Sequence, residues 1–67
     1  MSVAKVIEIS AQSPGSIEDA IQKGISRASD TVENIESAWV KETEALVRDD
    51  EVHAWRVNLK VTFVIDD

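Results

Sequence analysis

The chain has 67 residues and no cysteine. We expect residues 1–67 to form a single domain, because a second domain would have too little chain to enclose a core. Disulfides and thiolate-bound zinc are excluded, so self-association is the usual reinforcement left to so small a protein. The formal net charge of −6 would repel a phosphate backbone, which argues against nucleic acid as a partner.

The sequence gives no sign of a membrane or secretory segment. No stretch approaches the roughly 18 apolar residues that a membrane span requires, and Met1 to Lys5 lack the basic and apolar pattern of a signal peptide. We therefore expect a cytoplasmic protein without a membrane partner.

The first segment, Val3 to Ser10, predicts a strand, because it is rich in β-branched residues and contains neither Gly nor Pro. Residues 11–16 should break this strand and offer two helix N-caps, Ser13 and Ser16. We favour Ser13, because Pro14 would then occupy the first helical position and has no N–H to lose there.

A helix is predicted from Ile17 onward, because apolar and small residues recur there at the spacing of one helix face. These residues are Ile17, Ala20, Ile21, Gly24, Ile25, Ala28 and Val32. Gly24 is unfavourable in the middle of a helix, by about 1 kcal/mol relative to Ala. Its presence indicates that the helix approaches a strand closely.

Two further strands follow with a period of two. Ile35 to Arg48 reads as a long strand whose faces are poorly separated, with Trp39 and Ala45 at the same parity. Residues 48–51 predict the turn of a hairpin. From Val52 the alternation is regular, and the residues that should cover the helix are Trp55, Val57, Leu59, Val61, Phe63 and Ile65.

The predicted fold class is therefore α+β: the order β-α-β-β, with a three-stranded antiparallel sheet packed on one helix. The second face of the sheet should carry polar residues and a tryptophan. These residues are Ser37, Trp39, Arg56, Asn58 and Lys60. A tryptophan among polar groups on such a face indicates a contact with a ligand or with another subunit.

The succession of motifs along the chain resembles the dodecin family. The resemblance depends on a series of short motifs, which are Lys5 to Ile9, Ser13-Pro14, Ala20-Ile21, Ser26 to Ala28, Thr31-Val32, Asn34-Ile35, Val40 and the closing segment from Trp55 to Phe63. The closing segment is similar to the aromatic-Gln-Val-x-Leu-Lys-Val-x-Phe strand of that family. The resemblance implies a hollow homododecamer that binds FMN or riboflavin between its subunits and stores the flavin. The runner-up is a flavin-free assembly of the same fold, with calcium as a candidate ligand.

The resemblance also assigns roles to residues of the second face. Ser37 aligns with the tryptophan that stacks on the flavin ring in the family, and Trp39 lies two residues further along the same face. Arg56 aligns with the glutamine that anchors the ring, but a guanidinium donates hydrogen bonds and accepts none. We take Ser37, Trp39, Arg56 and Asn58 as the candidate flavin-binding residues.

Other interpretations of these residues stay open. Trp39 is as well suited to anchor a subunit interface as to stack on a flavin, and Arg56 could pair with a carboxylate of a neighbouring subunit. Trp55 should pack in the core and His53 should be solvated. We predict no metal site, because the run from Asp49 to Glu51 does not have the spacing of an EF-hand loop.

The sequence shows none of the arrangements that enzymes commonly use. It has no thiol, no serine-histidine-acid set that so short a chain could arrange, and no glycine-rich phosphate loop. We therefore expect that the protein is not an enzyme.

Overall fold

The computed structural model describes residues 2–66 as three strands and one helix. In chain order the elements are β1 (Val3–Ser13), α1 (Ile17–Ala28), β2 (Ile35–Arg48) and β3 (Glu51–Asp66). The strands form one antiparallel sheet in the order β1-β3-β2, and α1 packs against β1 and β3 on one side of it. The predicted α+β class and element order are confirmed. No helix within residues 2–66 is long and apolar enough to cross a membrane.

β1 is longer than the sequence indicates. It continues through Ser13 instead of ending at Ser10, because Ala11 and Ser13 pair with Val57 and Trp55 of β3. The predicted break at residue 11 is therefore wrong, and the cause is tertiary, since pairing with β3 stabilises an extended backbone where local sequence favours a loop.

The N-cap of α1 is Ser16, and the expectation of Ser13 is wrong. The Asp19 N–H donates to Ser16 Oγ at 3.0 Å, as at an ordinary serine cap. Ser13 is still within β1, where its buried hydroxyl accepts from the Gly15 N–H and donates to the Asp19 carboxylate. Ser13 therefore ties the end of β1 to the first turn of the helix.

α1 ends at Ala28, before the last member of the predicted apolar stripe. The Val32 N–H donates to the Ala28 carbonyl at 3.0 Å, and this bond closes the turn after the helix. Asn34 has a φ of 62°, in the left-handed region that Asn tolerates better than most residues. That conformation directs the chain into β2.

The core lies between α1 and the middle of β3. Its fully buried members are Ala20 of the helix and Val57, Leu59 and Val61 of the strand. Gly24 faces this strand: a Cβ there would lie 3.2 Å from Leu59 Cδ1 and 3.2 Å from Ala11 Cβ. The close approach that Gly24 predicts is confirmed, and it explains why a small residue occupies the middle of the helix.

A β-bulge at Lys41 explains the weak alternation of β2. Val40 pairs with Leu59, and Glu42 pairs with the preceding β3 residue, Asn58, so Lys41 has no partner. Leu59 and Asn58 point to opposite faces of the sheet, and so do Val40 and Glu42, although they are two residues apart. The bulge therefore reverses which parity of β2 faces the helix.

The reversal corrects the expectation that Ala45 shares a face with Trp39. Ala45 pairs with Trp55, whose face is covered by the helix, whereas Trp39 pairs with Lys60 on the opposite face. Glu44 takes the place expected for Ala45, because it lies opposite Arg56. The uncovered face is consequently richer in carboxylates than the sequence indicates.

A two-residue turn joins β2 and β3. Arg48 pairs with Glu51, and the residues between them, Asp49 and Asp50, have φ values of 52° and 63°. Two successive positive φ angles are typical of the type I′ turn, whose twist matches that of antiparallel strands. The acidic run at residues 49–51 therefore has a structural role as the tip of the hairpin.

Truncation of the apolar side of β3 should destabilise the protein far more than truncation of its polar side. Leu59→Ala removes a side chain that is 1% exposed and in the core, and should lower the free energy of unfolding by about 2 to 5 kcal/mol. Lys60→Ala, the adjacent residue on the other face, is the matched control. Urea denaturation should show a much larger loss of unfolding free energy for Leu59→Ala than for Lys60→Ala. Equal losses would contradict the assignment of the two faces of β3.

The Asp19 carboxylate should make stability depend on acid pH. Its hydrogen bond from Ser13, and then its interactions with Lys23, lower the pKa of Asp19 below the ordinary value of 3.8. A lowered pKa means that the contribution is complete above 3.8 and is lost as the pH falls through the lower, folded-state value. Between pH 5 and pH 2 the melting temperature should fall less steeply for Asp19→Asn than for the wild type. Identical profiles would contradict this role.

Candidate ligand-binding face

The side of the sheet opposite α1 is the candidate site, and we call it the open face. Cross-strand partners share a face, so the pairing of the strands defines its members. The polar ones and Trp39 are Glu8, Ser10, Gln12, Ser37, Trp39, Glu42, Glu44, Arg56, Asn58, Lys60 and Thr62. All four candidate flavin-binding residues lie on this face.

Arg56 is held by partners from both neighbouring strands. Its Nη1 lies 3.3 Å from Glu44 Oε1 on β2, and its Nη2 donates to Gln12 Oε1 on β1 at 3.3 Å. Both partners belong to the same chain, so the guanidinium has two hydrogen-bond acceptors without any neighbouring subunit. Its side chain is 42% exposed, which leaves other N–H groups free to donate.

Asn58 lies next to Arg56 on the open face of β3 and contacts a second carboxylate. Its Nδ2 donates to Glu42 Oε1 at 3.0 Å. Because the partner is a neutral amide, this bond leaves the negative charge of Glu42 unbalanced. Together with Glu8 and Lys41, Asn58 and Glu42 line a shallow depression of about 300 Å³.

Two lysines bring positive charge to the part of the face near Trp39. Lys60 Nζ lies 3.8 Å from Glu8 Oε1, and Lys41 Nζ lies 4.0 Å from the same oxygen. Glu8 is on β1 and Lys41 on β2, so this group extends across the full width of the sheet. The bulge leaves Lys41 free of pairing and lets its side chain reach the open face.

Trp39 is the most exposed large apolar side chain of the open face. It is 70% exposed and lies opposite Lys60. Ser37, the next β2 residue on this face, lies opposite Thr62. A tryptophan this exposed presents its aromatic face to whatever ligand or protein surface reaches this side of the sheet.

The structure places the four candidate residues on one face but does not bring them together. Arg56 and Asn58 are neighbours, whereas Ser37 lies opposite Thr62, six β3 residues from Arg56. At about 3.3 Å per residue this separation is roughly 20 Å. A single planar ring could not contact both ends within one chain, because the separation is greater than its length.

Sequence reasoning misses the carboxylates that surround Arg56 and Asn58. The alternation of β2 assigns Glu42 and Glu44 to the helix side, and the sequence contains no clear signal of the bulge that moves them. Gln12 is missed because the sequence predicts a loop there, whereas it pairs with Arg56 in β1.

The remaining sequence candidates lie away from this face. Trp55 is half-buried beside Gly15 and Ile17 at the start of the helix, as a core-facing residue should be. His53 is exposed in β3. Within residues 2–66, no group of three or more His, Cys, Asp or Glu side chains is placed to hold a metal ion.

Comparison with known proteins gives the family. The family model of dodecin matches residues 3–66, which is nearly the whole chain. This protein belongs to the dodecin family. No curated protein matches the chain.

Solved dodecin structures share this fold over almost their full length. The dodecin from Streptomyces davaonensis is 33% identical, with a TM-score of 0.92 over 98% of this chain and 97% of its own. The tt0972 protein from Thermus thermophilus is 28% identical, with a TM-score of 0.92 over 100% of this chain and 98% of its own. The calcium-chelating antigen calcium dodecin from Mycobacterium tuberculosis is 39% identical, with a TM-score of 0.82 over 92% and 89%.

Arg56 should be dispensable for folding. Its ion pair with Glu44 joins side chains that are 42% and 58% exposed, and exposed pairs contribute about 0 to 1 kcal/mol. Arg56→Gln should therefore change the free energy of unfolding by less than about 1 kcal/mol. Urea denaturation checks this, with Glu44→Gln as the matched control. A loss as large as that of a core truncation would show that Arg56 is structural.

Proposed function

We propose that this dodecin binds FMN or riboflavin in pockets between the subunits of a hollow cytoplasmic homododecamer, and that it stores the flavin without catalysing a reaction. The observation that supports this most is Trp39, a 70% exposed tryptophan on the open face of the sheet. Its aromatic face can stack on a planar ring, and enclosure between subunits would shield the ring from solvent and limit its photochemistry.

The polar groups of the open face suit the remainder of a flavin. Arg56 and Asn58 can donate hydrogen bonds to ring carbonyls, although Arg56 cannot accept one from the ring N–H. Lys60, directly opposite Trp39, can balance the phosphate of FMN. Because Lys60 and Arg56 are four residues apart on β3, Trp39 and Arg56 are separated by about 13 Å, and two subunits would have to supply them to one ring.

The mass of the protein in solution tests the proposed assembly directly. A small chain without disulfides, with Trp39, Val6 and Val47 each more than half exposed, needs further surface to bury. Light scattering at micromolar concentration should give a mass near twelve times 7.4 kDa. A well-folded monomer under these conditions would refute the assembly.

Trp39 should control flavin affinity. Stacking of an aromatic side chain on a base-like ring is worth about 1 to 3 kcal/mol, so Trp39→Ala should weaken binding by about fivefold to more than a hundredfold. Trp39→Phe keeps an aromatic face and should retain most of the affinity. The measurement is quenching of riboflavin and FMN fluorescence, with light scattering to verify that each variant still assembles.

Restoring the residues typical of the family provides the converse test. Ser37→Trp returns an aromatic side chain to the family's stacking position, and Arg56→Gln returns an acceptor for the ring N–H. Each should tighten flavin binding, and the double variant should bind most tightly. A wild type without measurable affinity, whose double variant also gains none, would favour a flavin-free assembly.

The second candidate function is cation binding by a flavin-free shell. It is favoured by Ser37 at the stacking position, by the engagement of Arg56 with Glu44, and by the 39% identity to a protein described as a calcium dodecin. Glu42, whose charge no cation balances within residues 2–66, is the carboxylate best placed to contribute. Calorimetry with Ca²⁺ should then show binding that Glu42→Gln weakens, with Glu18→Gln on the helix as the control.

A further inference from the structure

A groove runs beside the outer edge of β1, under the side of α1. Its floor is apolar and consists of Ile7, Ile9, Ala11, Gly24 and Ala28. Lys23 and Arg27 of α1 form its basic rim, and Ser10 and Thr31 also line it. The volume is about 350 Å³, enough for a few side chains but not for an extended ligand. We call this feature the basic-rimmed groove.

The charges on the rim are incompletely balanced. Lys23 Nζ lies 3.1 Å from Asp19 Oδ2, whereas Arg27 forms no ion pair with any of residues 2–66. An apolar floor beside an unpaired guanidinium fits a partner that combines aliphatic side chains with carboxylates.

The tip of the β2 and β3 hairpin has this combination. Val47 and Val52 are 62% and 51% exposed on either side of the turn. The turn itself carries Asp49, Asp50 and Glu51, three carboxylates against the single guanidinium of Arg48. We call residues 47–52 the acidic tip.

The acidic tip of one subunit cannot reach the groove of the same subunit. The floor residues Ile7, Ile9 and Ala11 pair with Val61, Leu59 and Val57 of β3. Asp50 precedes Val57 by seven residues, which places the tip about 23 Å beyond the near end of the floor. The two complementary surfaces can therefore meet only between copies of the chain.

We propose that the acidic tip of one subunit docks in the basic-rimmed groove of a second copy. Val47 and Val52 contact the apolar floor, and the carboxylates of the turn pair with Arg27 and Lys23. The inference rests on the proposed self-assembly and goes beyond it by naming the two surfaces. Because the surfaces differ, the contact is head-to-tail, and repetition of such a contact closes a ring when the rotation permits.

Crosslinking gives the direct test, because the chain contains no cysteine and introduced thiols are unique. In the full chain, Val52→Cys together with Thr31→Cys should give covalent dimers and larger species with a short bismaleimide. The matched control is Val52→Cys with Ser26→Cys, since Ser26 is exposed on α1 and does not line the groove. The control pair should remain almost entirely single chains on a denaturing gel.

Charge reversal gives the second test. Arg27→Glu and Glu51→Lys each place like charges together, and each should raise the protein concentration at which the assembly dissociates by about tenfold or more. The double variant restores opposite charges, so its dissociation concentration should return most of the way to the wild-type value. Circular dichroism verifies folding, which should be retained because both residues are exposed.

The outcomes separate this inference from the proposed assembly. The docking alone would be overturned by two results together with a wild type that assembles. The first is that the Thr31 pair crosslinks no better than the Ser26 pair, and the second is that the double variant does not compensate the charge reversals. A wild type that remains monomeric at micromolar concentration would overturn both. Selective crosslinking together with compensation would support the docking.

Discussion

The structure depends on the strict alternation of β3, the central strand. Residues 57, 59 and 61 point to the helix and form the core, while residues 56, 58 and 60 point away and form the open face. One strand therefore determines both the stability of the fold and the chemistry of the candidate site. A shift of one residue in its register would exchange Leu59 with Asn58 or Lys60, burying polar groups and exposing the core. The same constraint separates the two roles cleanly, because an open-face side chain can be replaced without entering the core.

Much of this fold could be predicted because its strongest signals are local. The helix from Ile17 keeps the helical spacing of apolar residues over three turns, and the strand from Val52 keeps its alternation over several residue pairs. Gly24 by its residue type alone indicates a close contact of the helix. The prediction fails where tertiary pairing overrides local preference. Ala11 and Ser13 are extended because β3 pairs with them, and Ser16 replaces Ser13 as the cap for that reason.

The face on which the candidate residues lie could be predicted, but the arrangement of that face could not. Ser37, Trp39, Arg56 and Asn58 all lie on the expected face, since β3 alternates and the first part of β2 follows it. Glu42 and Glu44 lie on the face opposite to the expected one, because a single unpaired residue, Lys41, reverses the parity of the rest of β2. A bulge of this kind depends on how two strands fit together, and nothing in the sequence of either strand alone specifies it. Its effect on the site is chemical, since it adds carboxylates beside Arg56 and Asn58.

The strand order β1-β3-β2 also has a consequence for synthesis of the chain. Neither β1 nor β2 pairs with the other, and both depend on β3, the last of the four elements to leave the ribosome. β1 pairs with β3 from Val3↔Asp66 onward, so contacts between the first and last strands close the sheet. During translation the earlier strands have no partner, and the apolar side of α1 has only β1 to cover. The sheet therefore cannot form before β3 is released, and we expect contacts so distant in sequence to slow its folding relative to a protein of this size with local pairing.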